Sequence, residues 1–456
     1  MGVCVRRTIG CPAAVRRSDS GSMCKVCGCG GVSRGGDEWS SRSRRVALAA
    51  RSRGSRLALD CPARGFGLAM AAWSSGPPPS SEDLPPPSPP TLRIVSWNIL
   101  ADGNLYNHVD LYRRCHPAAL KYQNRLPRTL EAIHRLDADV VALQEVEKFH
   151  RDVLPPLRQY CGLNGVFKQR TGGQQDGVAL LWRESRLSLL HVEELEYATA
   201  LTKNVANPAE ADILRKPQVG LVGIFFDRVA QRELVVATTH LVFNPKRGIV
   251  KLRQLQHLLS RVDALRRASG PFIASGSTAG PPPPTPASNA QQHPMRAAVI
   301  AGDFNLTPSS PLHSFCCGVR LCQPNHTEGE WDGHYAEGRH NDHSRSMIGA
   351  LPPPPDPATT AHGEGETHPL AGELHSAYGH SRGEPEATSY HSRFMGTVDY
   401  IWHTARQLKV RAVLPTPSRN ELAARRSLPD RMTPSDHVPI ACTLEWAAPE
   451  EPVGIS

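Results

Sequence analysis

Apolar runs in this chain repeatedly stop at a carboxylate, an amide or an imidazole, and that recurring ending constrains the fold more than any other feature. The clearest case is Ala298-Val-Ile-Ala-Gly-Asp-Phe-Asn-Leu-Thr-Pro308. Residues 298–301 have the make-up of a buried strand. Asp303 and Asn305 follow, two residues apart, so an extended backbone would point both to one face. Pro308 stops the run because proline has no ladder donor. A carboxylate and a carboxamide are thus expected at the rim of a buried sheet. Turn chemistry alone would use the same residues, so the weight rests on repetition elsewhere.

Order is expected from residue 91. Residues 92–100 read as a strand delivering Asn98, and residues 139–146 as a second, buried strand delivering Glu145. Residues 177–182 form a third. Residues 219–226 and 233–239 suit two paired strands, the second delivering His240. Residues 397–402 carry Asp399, and 435–444 place Asp436 and His437 just before a final strand. Two helices are expected, over 123–136 and over 249–267. The second has Leu252, Leu255, Leu258, Leu259, Val262 and Leu265 along one side. Many short strands with no strict alternation of strand and helix imply an α/β or α+β sandwich over residues 91–446.

The rest of the chain reads as non-core. Glycine (37) and proline (41) are abundant for 456 residues. Residues 1–90 hold 13 Lys and Arg against 6 Asp and Glu, and are expected to be a disordered, basic, Pro-rich arm. The basic balance belongs mainly to that arm, so it is weak evidence for nucleic-acid binding by the globular part. Residues 269–294 and 323–370 read as disordered insertions, and 447–456 as a tail. Cys24-Lys-Val-Cys27-Gly-Cys29 lacks a second ligand pair at zinc spacing. The later cysteines show no disulfide or metal spacing, which suits the cytoplasm or nucleus. The Arg-rich, acid-poor first 70 residues suit a mitochondrial transit peptide, with a plain arm or a start at Met70 as alternatives. No apolar run is long enough for a transmembrane helix, so no membrane partner is expected.

Asn98, Glu145, His240, Asp303, Asn305, Asp399 and His437 form one chemical set. Charges near a core are costly unless paired or metal-bound. A strand-end glutamate among amides and other acids is a hard-oxygen site, suited to Mg²⁺ or Mn²⁺. Asp303 is a candidate to orient or deprotonate a water. Asp399 would favour the protonated ring of His437, and that cation, with Asn98, Asn305 and His240, would stabilise charge on a phosphorane. The chain has no Gly-rich phosphate loop and no Gly-x-Ser-x-Gly elbow, which argues against NTPase and serine hydrolase chemistry.

Ser96-Trp97-Asn98, Leu143-Gln144-Glu145-Val146, Thr239-His240-Leu241, Gly302-Asp303-Phe304-Asn305, Val398-Asp399-Tyr400 and Ser435-Asp436-His437 resemble, in order, the motif series of the endonuclease/exonuclease/phosphatase superfamily. Residues 97–102 and 309–312 resemble its carbon-catabolite-repressor deadenylase branch, which includes nocturnin. Arg170-Thr-Gly-Gly-Gln-Gln-Asp-Gly177, Asn244-Pro-Lys-Arg-Gly248 and His391-Ser-Arg393 resemble the Angel proteins. The resemblance implies a four-layered αββα sandwich with Glu145 as principal Mg²⁺ ligand, helped by Asn98, Asp303 and Asp436. It also implies that Asp303, Asn305, His240, Asp399 and His437 complete the catalytic centre. Leu100 stands where the apurinic-site endonucleases carry a second acid, which argues against DNA repair. The leucine-rich repeats that dock the large deadenylases are absent.

The function this implies is a Mg²⁺-dependent phosphoesterase acting on RNA 3′ ends, foremost a 3′–5′ exoribonuclease, with poly(A) as one candidate substrate. The alternative is a 2′,3′-cyclic phosphatase. Lys246, Arg247, Arg170 and Lys168 are candidates to engage substrate phosphates. A reading of another class is a binding-only protein. Tyr106-Asn-His-Val-Asp-Leu111-Tyr112 fits the pattern that engages the cap-binding initiation factor.

Overall fold

The structure, a computed structural model, describes residues 90–268, 295–321 and 365–448. The expected arm up to residue 89, the insertion 269–294, residues 323–364 of the second insertion and 449–456 of the tail lie outside the described residues.

Fourteen strands are found among the described residues. In chain order they are β1 (Thr91–Asn98), β2 (Val140–Val146), β3 (Leu163–Gln169), β4 (Gly177–Arg183), β5 (Leu187–Glu196), β6 (Val219–Asp227) and β7 (Arg232–His240). Then come β8 (Ala297–Asp303), β9 (Leu374–Ser376), β10 (Ser389–His391), β11 (Phe394–Gly396), β12 (Asp399–Thr404), β13 (Leu408–Val413) and β14 (Ile440–Trp446). One six-stranded sheet has the order β13-β14-β1-β2-β4-β3, the other β5-β6-β7-β8-β12-β9, and β10-β11 is a small ribbon.

Alternation along each strand explains why the runs look apolar throughout. Ile94, Val140, Leu180, Val236 and Val299 face the space between the two sheets. Their neighbours Val95, Val141 and Leu181 face outward, onto Ile133 and Leu157 of the helices Tyr122–Leu136 and Leu154–Cys161. Val235 and Ile300 face outward from the second sheet, onto the helix Gly248–Arg267. Strands buried on both faces carry no polar side. The layers are therefore helix, sheet, sheet, helix: a mixed α/β sandwich, as the motifs imply. All six apolar residues read on one side of the long helix are buried. Two buried polar residues of that helix reach the ends of strands: Gln254 accepts a bond from the Val242 N–H (3.1 Å) and Lys251 donates to the Asn305 carbonyl.

The structure departs from the sequence reading at several points. Strand β12 begins at Asp399 rather than 397, because the Val398 N–H is diverted to Thr388 Oγ1 (3.0 Å). The last strand begins at Ile440, after Pro439. Asn305 is not on an extended backbone: the strand ends at Asp303, and Asn305 is left-handed (φ 51). The second insertion ends earlier than residue 370. Glu366 bridges to Leu321, the ring of His368 bonds the Phe315 carbonyl (2.8 Å), and Leu370 is fully buried. In the 106–112 pattern Leu111 and Tyr112 pack inside with Leu100 and Leu105, so they cannot be offered to a partner as that pattern requires.

Candidate active site

Strand register gathers the polar strand ends. β1 and β2 run parallel, with Asn98 opposite Gln144, next to Glu145. β7 and β8 run parallel, with His240 opposite Asp303, and antiparallel β12 sets Asp399 opposite the same Asp303. The first sheet thus contributes Asn98 and Glu145, and the second His240, Asp303 and Asp399. Asn98 joins them: its Nδ2 donates to Glu145 Oε1 (3.2 Å) and to Asp303 Oδ2 (3.0 Å).

Glu145 sits where the β2–β4 register shifts, with a left-handed φ of 55. Such a bulge re-aims a side chain that the pleat would otherwise place elsewhere. Its Oε2 accepts the Ala101 N–H (2.9 Å). Burial pushes its carboxyl up, but the charge of His240, present only when that ring is protonated, and hydrogen bonds from Asn104, Ala101 and Asn98 bring it below the ordinary range. Glu145 is therefore ionised. Burial lowers His240 to about 4 despite the opposing charge of Glu145, so at neutral pH its ring is neutral.

His437 and Asp399 form a buried pair, Nδ1 to Oδ2 at 2.8 Å, and Thr388 Oγ1 donates to that same oxygen (2.6 Å). Burial works against the imidazolium, yet the charge and hydrogen bond of Asp399 hold His437 well above its ordinary value. Its Nε2 lies 3.8 Å from Asp303 Oδ2, and His240 Nε2 lies 3.5 Å from that oxygen. Burial, then the charge of Asp399, raises Asp303 to about 7. Asp436 is raised by burial and accepts the Tyr112 hydroxyl at Oδ2 (2.9 Å).

These residues suit a divalent cation. The carboxylates of Asp303 and Asp399 lie close together, Asp399 Oδ1 is buried without a hydrogen-bond partner, and Asp303 is raised by burial and then by the charge of Asp399. A cation relieves all three conditions. Among the described residues, Asp303, Asp399 and His437 offer ligand-type atoms within 4.8 Å of one another. His437, however, is bonded to Asp399 and charged, and a protonated ring is no ligand. Glu145, ionised and hydrogen-bonded by Asn98, is a further candidate ligand.

The structure brings Asn98, Glu145, His240, Asp303, Asp399, Asp436 and His437 together. Asn305 adjoins them, but its amide donates to the Leu241 carbonyl (3.0 Å). Arg170 lies one side chain away: it pairs with Asp176 and donates to Asn104 (3.3 Å). Lys246 and Arg247 sit in the turn after β7, Lys246 exposed and Arg247 half-buried. Lys168 is not brought in, because its ammonium is paired with Glu194 (2.7 Å) and Glu196 (2.5 Å). Sequence reasoning gave no site role to Tyr112, Thr388, Asn104 or Asp176. Asp176, raised to about 6 by burial and by Glu145, carried a usable signal. It directly precedes the apolar run of β4, whose start lies beside the end of antiparallel β2.

Residues 95–437 match the family model described as "Endonuclease/Exonuclease/phosphatase family". The chain is 33% identical over 382 residues to "Carbon catabolite repressor protein 4 homolog 5" of Arabidopsis thaliana, covering 77% of each. It is 27% identical over 399 residues to "Protein angel homolog 2" of Mus musculus, covering 76% of this chain and 68% of that one. A crystal structure of ANGEL2, "a 2′,3′-cyclic phosphatase", with adenosine-2′,3′-vanadate matches with a TM-score of 0.60 at 28% identity, over 78% of this chain and 96% of that one. The chain belongs to the endonuclease/exonuclease/phosphatase family, whose members are metal-dependent phosphoesterases.

Proposed function

We propose that this protein hydrolyses phosphoester bonds at RNA 3′ ends, with Mg²⁺ or Mn²⁺ held principally by Glu145. The observation that carries this reading is the Asn98 amide bridging Glu145 and Asp303 beside the His437–Asp399 pair. It sets a candidate cation site and a base, joined by hydrogen bonds, 3.8 Å from an acid.

The cation would neutralise the phosphate charge that grows in the transition state. Asn98 and Asp436 would help Glu145 to hold it. Asp303, raised to about 7, has the basicity to accept a proton from an attacking water near neutral pH. Asp399 fixes the ring of His437 through Nδ1, leaving a charged Nε2–H for a phosphoryl oxygen. His240, neutral, is a hydrogen-bond donor that adds no charge. Asn305 holds the turn after Asp303 through its bond to Leu241. Lys246, Arg247 and Arg170 are the candidate cations for neighbouring phosphates, Arg170 after exchanging its bond to Asn104.

The primary reading is a 3′–5′ exoribonuclease, which breaks the terminal phosphodiester and releases a nucleoside 5′-monophosphate. A second reading, a phosphatase that hydrolyses both P–O bonds of a terminal 2′,3′-cyclic phosphate and so leaves a 2′,3′-diol and releases inorganic phosphate, has its own support in the similarity to the ANGEL2 structure with its adenosine-2′,3′-vanadate. Both present a phosphoryl group to the face that Asp303 and His437 share. Product analysis on two 5′-labelled RNAs, one ending in a hydroxyl and one in a cyclic phosphate, separates them. A shortening ladder on the first supports the exonuclease. Loss of the terminal phosphate without shortening supports the phosphatase. Turnover of neither, by a folded protein supplied with Mg²⁺ or Mn²⁺, sinks the proposal.

A further inference from the structure

Beside His437 stands a lobe whose arginines the centre leaves unused. It is built from residues 109–116, 389–395 and 418–437. Ser392 N–H donates to the Leu111 carbonyl (3.0 Å), Leu428 N–H to the Tyr390 carbonyl (3.2 Å), and the Tyr390 hydroxyl to the Arg426 carbonyl (2.7 Å). Cys115 Sγ donates to the Leu428 carbonyl (3.2 Å). Two bonds fix the lobe to the centre, Tyr112 hydroxyl to the Asp436 carboxylate and Tyr390 N–H to the Asp436 carbonyl (2.8 Å).

These three segments hold seven arginines and four acids. Each acid is already engaged: Asp110 with Arg393, Asp430 with Arg425 (2.7 Å), Glu421 with Ser418, and Asp436 with Tyr112. Arg113, Arg426 and Arg431 are exposed and have no ion pair or side-chain hydrogen bond among the described residues. Arg426 is moreover held in a left-handed backbone (φ 69), a conformation that costs a non-glycine residue stability. Met432, 81% exposed, follows Arg431.

We propose that this lobe is a binding surface for single-stranded RNA, on which Arg113, Arg426 and Arg431 hold phosphates lying 5′ of the reacting end. The inference rests on the RNA 3′-end reading above and deepens it. Unpaired guanidinium forks match phosphate oxygens two bonds at a time. The lobe is tied, through the buried Tyr112 and Tyr390, to a centre built for phosphate chemistry. An apolar side chain beside the cations offers contact to a base without reading its sequence.

The test is fluorescence anisotropy of labelled 12-nucleotide and 3-nucleotide RNAs, with the full chain in a Glu145→Gln background so that the RNA survives. Arg113→Glu, Arg426→Glu and Arg431→Glu are combined. The 12-mer Kd is expected to rise at least tenfold. Its log Kd against log salt is expected to flatten by about 2, near 0.7 for each lost phosphate contact. The 3-mer Kd should stay within about twofold, which shows that the fold and the centre survive. Replacing the same residues by Lys should restore most of the 12-mer affinity. An unchanged 12-mer Kd and salt slope would overturn the lobe alone. Failure of the unsubstituted background to bind either RNA would overturn the underlying RNA reading, and the lobe with it.

Discussion

At the scale of single residues, the centre depends on groups moved from their ordinary ionisation by named neighbours. Asp399→Asn keeps the shape beside His437 and removes the charge that holds its ring protonated. We expect kcat to fall about 10²–10⁴-fold, the range for positioned acid–base groups, and the alkaline limb of the pH–rate profile to move to lower pH. An alkaline limb that stays in place would contradict the role given to Asp399. His403 lies away from the centre, on β12, where burial lowers it to about 4 beside His375 and His380. Between pH 6.5 and 4 the unfolded chain takes up a proton there that the folded chain does not. Stability must therefore rise with pH across that window, by up to about 3 kcal/mol from this group. His403→Phe should flatten the dependence in urea titrations from pH 4 to 7. The strand-end rule made the seven central polar residues legible in the sequence, because a charge at the end of a core strand is costly without a purpose. It missed Tyr112, whose hydroxyl reaches Asp436 across 324 residues, and Thr388, which reaches Asp399 across the turn formed by the β10–β11 ribbon. It also could not show that Lys168 is taken by two glutamates of β5.

At the scale of elements, the parallel pair β7–β8 sets His240 against Asp303, and that pairing requires Gly302. A Cβ there would lie 2.2 Å from the Thr239 carbonyl oxygen, which is backbone and cannot move aside. Gly302→Ala is expected to lower unfolding free energy by at least about 2 kcal/mol, in the upper part of the overpacking range, and to reduce activity with it. An unchanged denaturation midpoint would show that the sheet can open there at little cost. Continuous apolar runs identified β1, β2, β4, β6, β7 and β8, because both their faces are buried. β3, β5 and β13 were not read, since their faces are mixed: Lys168 and Gln169 end β3, and β5 carries Glu193, Glu194 and Glu196. No local period marks such strands. They are selected by pairing with β4, β6 and β14.

At the scale of the whole molecule, the two sheets face each other across one apolar layer, and their common end carries the chemistry. The four layers are what the resemblance to the superfamily implies. What the sequence hid was depth: the segment 365–370 reads as loop, yet Leu370 packs in the core with the long helix. The central claim is that one metal-dependent phosphoesterase centre spans both sheets, with Glu145 as its principal cation ligand. The most direct test is the rate of RNA turnover against Mg²⁺ concentration, for the unsubstituted protein and for Glu145→Ala. The account predicts turnover that saturates with Mg²⁺, vanishes in EDTA, and falls at least about 10³-fold in the variant, on the scale of losing a principal charge-stabilising group. Turnover that persists in EDTA, or a Glu145→Ala curve that overlays the original, would contradict it.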